Sequence, residues 1–276
     1  MKNVRFFPGL LIISVIFGII ISGGCKKDDP DEMPELPPMQ SLLMDFSDFN
    51  DAADTLTSKK VLPSYTNWGK ALTTVALWNT VISVTVAVPV AAYAEALSQT
   101  PVYLGDNRWE WKYSVTVNSI TYNAVLQTQR ISNEEFTAEM FITRSGAGGF
   151  SNFKWFEGTI RYDHTHAIWT LYESPANPAE LLSVEWNYNW EEETGDITYT
   201  LVKTGHAEED SYIRFSVDPL SVYDAGYVIS LSTGQAQIEW NRTTRAGRIQ
   251  SQVLFGDTLW HCWNQYLQNT DCPGSE

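Results

Sequence analysis

Histidines, carboxylates, cysteines and aromatic rings are the groups here that could do chemistry. One pair of histidines stands close together, His164 and His166, with Asp163 beside them. On a strand, alternate residues share a face, so the two imidazoles could meet one metal ion. Asp163 would then point the other way, and no third ligand follows at a fixed spacing, so no metal site is assigned. Neighbouring acids occur at Glu134/Glu135, at Glu191–Glu193 and at Glu208–Asp210. Acid–base catalysis needs two carboxylates with separated pKa values across a cleft. Runs of adjacent acids are instead the pattern of solvated loops. The chain lacks Gly-x-Ser-x-Gly, His-Glu-x-x-His and a phosphate-binding loop. No catalytic residue and no cofactor is expected, and a hydrolase would have to use carboxylates that no motif marks.

Aromatic residues carry the stronger signal. The chain has 11 Trp, 13 Tyr and 12 Phe among 276 residues. They recur at alternate positions: Trp109/Trp111/Tyr113, Phe153/Trp155 and Trp186/Tyr188/Trp190. On strands each set lies on one face. Such rings either fill a core or line a cleft for an apolar or glycan ligand. The candidate ligand-binding residues are Trp109, Trp111, Trp155, Trp186, Tyr188 and Trp190. Glu110, Glu185 and Asn187 fall on the opposite parity, so they would not stand beside the rings.

Of the three cysteines, Cys25 closes an N-terminal address. Lys2 and Arg5 precede an apolar run from Phe6 to Ile21, then Ile21-Ser22-Gly23-Gly24-Cys25. This resembles the bacterial lipoprotein signal, with Ser22 where Leu is most usual. The resemblance implies cleavage after residue 24 and acylation of Cys25. More than one acyl chain gives stable anchoring, at ~0.8 kcal/mol per buried methylene. Residues 25–40 hold four Pro and five acids, the composition of an extended tether. An acidic stretch directly after the cysteine resembles the export signal of surface lipoproteins in Bacteroidota-type bacteria. The expected location is the bacterial outer membrane, lipid-anchored, on its periplasmic face or at the cell surface. In such an oxidising compartment Cys262 and Cys272, with nine residues between them, are expected to form a disulfide.

Charge narrows the partners. The formal net charge is −15, and loss of residues 1–24 removes two basic side chains and no acidic one. Phosphate binding needs clustered Lys and Arg, so nucleic acid is not an expected partner. Asp54-Thr55-Leu56 and Asp257-Thr258-Leu259 resemble Asp-Thr-aliphatic sites of O-glycosylation in Bacteroidota envelopes. Asn241-Arg242-Thr243 is a formal N-glycan acceptor.

Two patterns must position these residues. Residues 41–99 read as helical. Leu42, Phe46, Phe49 and Ala53 make one apolar face, and a second helix runs from Thr66 or Asn67 towards Leu97. Ala71–Ala94 is 24 residues without a charge, a length that would also suit a membrane span. It is expected instead to be a buried central helix kinked at Pro89. From Trp109 the period becomes two. Strands are expected at 109–117, 120–130, 136–144, 153–162, 167–173, 181–190, 197–204, 212–217, 228–231, 235–240 and 249–255, with turns between neighbours.

The expected class is α+β: N-terminal helices packed against, or enclosed by, a large curled antiparallel sheet spanning residues 109–263, in one domain over 41–276. Open sheets of that size rarely stay flat. The architecture is similar to the half-barrels of periplasmic lipoprotein carriers and localisation factors, which implies an apolar ligand on the concave side. The expected function is a non-enzymatic envelope lipoprotein. It would bind an apolar or amphiphilic ligand, or a protein partner, on the curled sheet. A surface glycan-binding or adhesion module is the alternative.

Overall fold

The structure is a computed structural model and describes residues 33–49 and 63–273. Cys25, the segment before it, Ala53 and Asp54-Thr55-Leu56 lie outside the described residues. Among the described residues fourteen strands form one antiparallel sheet in strict chain order. They are β1 (Val102–Gly105), β2 (Arg108–Val117), β3 (Ile120–Arg130), β4 (Glu135–Arg144), β5 (Phe150–Arg161), β6 (His166–Ser174) and β7 (Asn177–Asn189). The others are β8 (Thr194–Leu201), β9 (Tyr212–Val217), β10 (Ala225–Leu231), β11 (Gly234–Trp240), β12 (Gly247–Gln250), β13 (His261–Trp263) and β14 (Asn269–Thr270). The short strands β1, β13 and β14 extend the sheet beyond the alternating region. Residues 252–255 form a helical turn, α2 (Gln252–Phe255), rather than the end of a strand.

The order β1 to β14 contains no pairing between first and last strands, so the sheet curls without closing. Alternating burial marks the face that the sheet curls around. Alternate residues such as Phe136, Ala138, Met140 and Ile142 on β4 are fully buried on one face. Register shifts between β4 and β5 and between β6 and β7 bend the sheet further. Glycines stand opposite large rings at Gly158–Trp169, Gly195–Tyr188 and Gly247–Trp263. A Cβ at Gly158 would lie 2.4 Å from the Trp169 ring, so the missing side chain is the space the ring fills.

Two elements occupy the concave side. Helix α1 (Thr66–Ala96) packs its N-terminal end on β12–β14 and its C-terminal end on β2 and β3. Ala71, Leu72, Val75, Trp78, Ile82, Val86, Tyr93 and Ala96 are buried. The sequence leads one to expect cover on most sides, yet Thr73, Ala76, Leu77, Thr80, Val81 and Ser83 face solvent. That side mixes hydroxyls with bare apolar side chains, Leu77 and Val81 being 59% and 48% exposed. Thr73 and Thr80 donate to carbonyls one turn back, Gly69 and Ala76, at 2.8 Å each. A chargeless helix is therefore not a fully buried one. The first residue, Thr66, is not a side-chain cap. The Asn67 N–H instead donates to Asn269 Oδ1 at 3.0 Å, and its amide donates to the Cys262 carbonyl at 2.8 Å.

The helix bends by 63° between Thr66–Ser83 and Thr85–Ala96. Pro89 lacks the N–H that would reach the Thr85 carbonyl, and its ring crowds that carbonyl, which puts the bend one turn before the proline. Among the described residues no single helix is long and apolar enough to cross a membrane; the two arms reach that length and hydropathy only together.

Residues 33–49 form the second element, a strap without regular structure at 33–38 and 43–46, with a 3-10 turn at Met39–Ser41 and helical residues only at 47–49, where the sequence suggested a helix from Leu42 on. Burial falls on Leu42, Met44 and Phe46, a period of two. The Pro-rich stretch contributes to it, since Pro34 and Pro37 are buried against the fold. An extended segment laid across strands cannot join their ladder, so its carbonyls need other donors. Aromatic side chains supply them in strand order. Trp169 on β6 donates to Ser41 O at 2.9 Å, Tyr199 on β8 to Leu42 O, and Tyr227 on β10 to Asp45 O at 2.5 Å. Tyr93 of α1 donates to Pro37 O at 2.7 Å, and His164 Nε2 stands 2.9 Å from Glu35 O. The abundance of Tyr and Trp thus has a structural use: large apolar bodies fill the half-barrel while their polar ends hold the strap.

A disulfide joins Cys262 and Cys272 with Cα atoms 5.2 Å apart and staples the β13–β14 hairpin.

Candidate ligand cleft

Beside the middle of the strap, at Pro38–Asp45, a cleft of about 410 Å³ opens. Its floor is Trp186 and Tyr188 of β7, Ile197 of β8 and Phe215 of β9, with Trp190 just beyond β7. Pro38, Gln40, Leu43 and Asp45 of the strap form one wall, and Asp196 and Arg242 stand at the edge.

The rings form a continuous surface because residues 186, 188 and 190 alternate on one face. Trp186 and Tyr188 lie 6.0 Å apart and nearly parallel, 9° between planes. Trp190 meets Tyr188 edge-on at 4.4 Å. Gly195 opposite Tyr188 lets that ring lie down on the sheet; a Cβ there would sit 2.5 Å from it. Trp190 is held by its indole N–H, which donates to His164 O at 3.0 Å, yet it remains 53% exposed. An indole that is half in water and fixed in place is an available stacking surface.

Polar groups reach the cleft from other elements. Asp196 pairs with Arg214 at 3.2 Å on the face it shares with its register partner Asn187, away from the rings. Arg242 sits on the β11–β12 turn, 3.5 Å from Asp224, which also accepts the Arg242 backbone N–H at 2.7 Å. Adjoining it is a second cavity of about 270 Å³, walled by Phe49, Trp68, Trp240 and Trp263, with Asp48, Arg242 and Arg245 among its polar groups. Asp48 accepts a bond from the Trp240 indole at 2.9 Å. Partial burial raises its pKa above the usual carboxylate value, and the indole bond works against that rise.

The six aromatic candidates separate. Trp186, Tyr188 and Trp190 come together in the cleft, where Trp186, only 4% exposed, is also part of the core and Tyr188 and Trp190 carry the accessible surface. Trp109 and Trp111 are 4% and 2% exposed and belong to the core. Trp155 joins a half-buried cluster with Phe150 and Phe153, at 5.8 and 5.3 Å. Glu185 and Asn187 point away from the rings, and Asn187 bonds His166 Nδ1 at 2.8 Å on the other face. With His164 on the strap, the two histidines serve different contacts. Among the described residues no three His, Cys, Asp or Glu side chains are grouped to hold a metal ion. Sequence reasoning missed Leu43, Asp45, Phe215 and Arg242. Only Phe215 had a signal, its parity on a short alternating strand.

Comparison with known protein families, characterised proteins and solved structures gives no match for this chain.

Proposed function

We propose that the chain is a non-enzymatic bacterial envelope lipoprotein, anchored through acylated Cys25 at the outer membrane, that binds an amphiphilic ligand in the cleft beside the strap. The observation that carries this reading is the fixed ring surface of Trp186, Tyr188 and Trp190, open to solvent at one end and bordered by polar groups. Cleft volume and composition suit a ligand with an apolar body and one polar end. A glycan ligand is the second reading, favoured by Gln40 and Asp45 of the strap beside the rings, which offer hydroxyl partners.

Tryptophan fluorescence of the mature domain, titrated with uncharged dodecyl maltoside below its micelle concentration and with oligosaccharides, tests the site. Saturable change that disappears in Trp190→Ala supports it. No change with either class overturns it. The anchor has its own test: Cys25→Ser should move the protein from the membrane fraction to the soluble one.

A further inference from the structure

We propose that the cleft selects an anionic amphiphile, one whose apolar body lies on the Trp186–Tyr188–Trp190 surface and whose carboxylate or phosphate head sits at Arg242 and Arg245. The inference rests on reading the cleft as an amphiphile site and adds the chemistry of the head group.

Arg242 lines both cavities, so the apolar cleft and the smaller polar one adjoin at this residue. Arg245 lines the smaller one. Guanidinium groups match planar carboxylates and phosphates through paired N–H donors. Arg245 has no ion pair among the described residues, and Arg242 has only the 3.5 Å contact with Asp224. Donors on both are thus open to a ligand.

The turn that carries them is held rigidly. Asn241 Oδ1 accepts the N–H groups of Thr243 and Thr244 at 3.2 and 2.8 Å, and its amide donates to Val222 O at 3.1 Å. The Arg245 N–H donates to Asn241 O at 2.7 Å, and Arg245 O accepts the Trp263 indole at 2.8 Å. Arg245 takes a left-handed φ of 67°, a conformation this closed turn imposes. The Asn241-Arg242-Thr243 triplet therefore has a structural use: its asparagine side chain is spent on folding the turn. A preorganised pair of cations costs less to order on binding.

Net charge does not itself favour an anion. A chain of net charge −15 repels anions at long range, but at physiological ionic strength repulsion fades over about 8 Å. Around the two cavities Asp45, Asp48 and Asp224 stand against Arg242 and Arg245. Selection of an anionic head therefore comes from the directed N–H donors of the two guanidinium groups and not from a positive local field.

The test titrates the mature domain, and its Arg242→Gln/Arg245→Gln and Arg242→Lys/Arg245→Lys variants, with laurate, dodecyl phosphate, dodecyl maltoside and dodecyltrimethylammonium, all below micelle formation. Both arginines are exposed, so the variants should keep the wild-type melting temperature. Laurate or dodecyl phosphate should bind at least tenfold more tightly than the maltoside. The Gln variant should lose about tenfold for the anions and under twofold for the maltoside; the Lys variant should recover part of the loss. Laurate and dodecyl phosphate distinguish a planar head from a tetrahedral one. If the maltoside or the cation binds as well as the anions, or the Gln variant binds laurate unchanged, the anion assignment falls while the amphiphile site stands. If none of the four binds, both fall.

Discussion

Replacing Tyr199 with Phe deletes one oxygen from the middle of the molecule. The ring keeps its volume, so the apolar burial of a fully buried residue is retained. What disappears is the hydroxyl that donates to the Leu42 carbonyl, itself part of a residue with no exposure. Water has no route to replace it, so the loss is the bond plus an unsatisfied buried carbonyl, about 1–3 kcal/mol. At about 2 kcal/mol a domain of this size should melt roughly 4–8 °C lower. Urea unfolding should show a lower midpoint with an unchanged slope. Hydrogen exchange should quicken first at the strap amides of Ser41 and Leu43, which bond to Pro38 and Met39 carbonyls at 2.9 and 2.8 Å. Tyr103→Phe is the control: that residue is 40% exposed and its hydroxyl accepts only a 3.4 Å contact from Asn107, so the change should cost under about 0.5 kcal/mol. A Tyr199→Phe loss as small as the control's, or strap amides exchanging as in wild type, would refute the account of the strap.

Removing the disulfide through Cys262→Ser/Cys272→Ser frees a loop of sequence separation 10 and should lower stability by about 2–3 kcal/mol, measured by urea midpoint, with the β2–β11 sheet intact by circular dichroism. Gly158→Ala drives a methyl group into the Trp169 ring and the Ile168 carbonyl, 2.4 and 2.6 Å away, and should cost about 1–3 kcal/mol; a neutral result would mean that the sheet yields there. Asp48→Asn keeps an acceptor for Trp240 but removes the carboxylate. Because burial raises the folded pKa, the wild-type carboxyl's contribution is fully present below its unfolded value near 4 and lost as pH rises through the folded one. The variant's stability relative to wild type should therefore increase from pH 3.5 to pH 7 in paired urea titrations, and a decrease would show the sign to be wrong.

How far the sequence could be read depended on the range of the interactions. The strands of the alternating region were legible because burial on a pleated sheet has a strict period, and the helix because Ala71–Ala94 has neither charge nor an early breaker. The strap misled for a physical reason. Leu42 and Phe46 are four apart, which fits one helical face, but also two pleats of an extended chain. Met44 between them decides it, since a helix would turn that residue away and the structure buries it. Such ambiguity is inherent when a segment is extended but belongs to no ladder.

The alternating rings of residues 186, 188 and 190 could be put on one face from sequence, and so could those of 109 and 111. Which set is core and which lines a cleft could not, because local pattern carries no information about what covers a face. That was decided by where the strap crosses the sheet, by bends that curl β4–β7, and by a turn that brings Arg242 to Phe215 and Trp186. By itself the sequence determined the class of element along most of the chain, since periodicity is a local property. The tertiary structure alone decided that Trp169 and Tyr199 would satisfy carbonyls of the strap and which rings would stay open to a ligand, because those partners lie more than a hundred residues apart and meet only when the sheet curls around the strap.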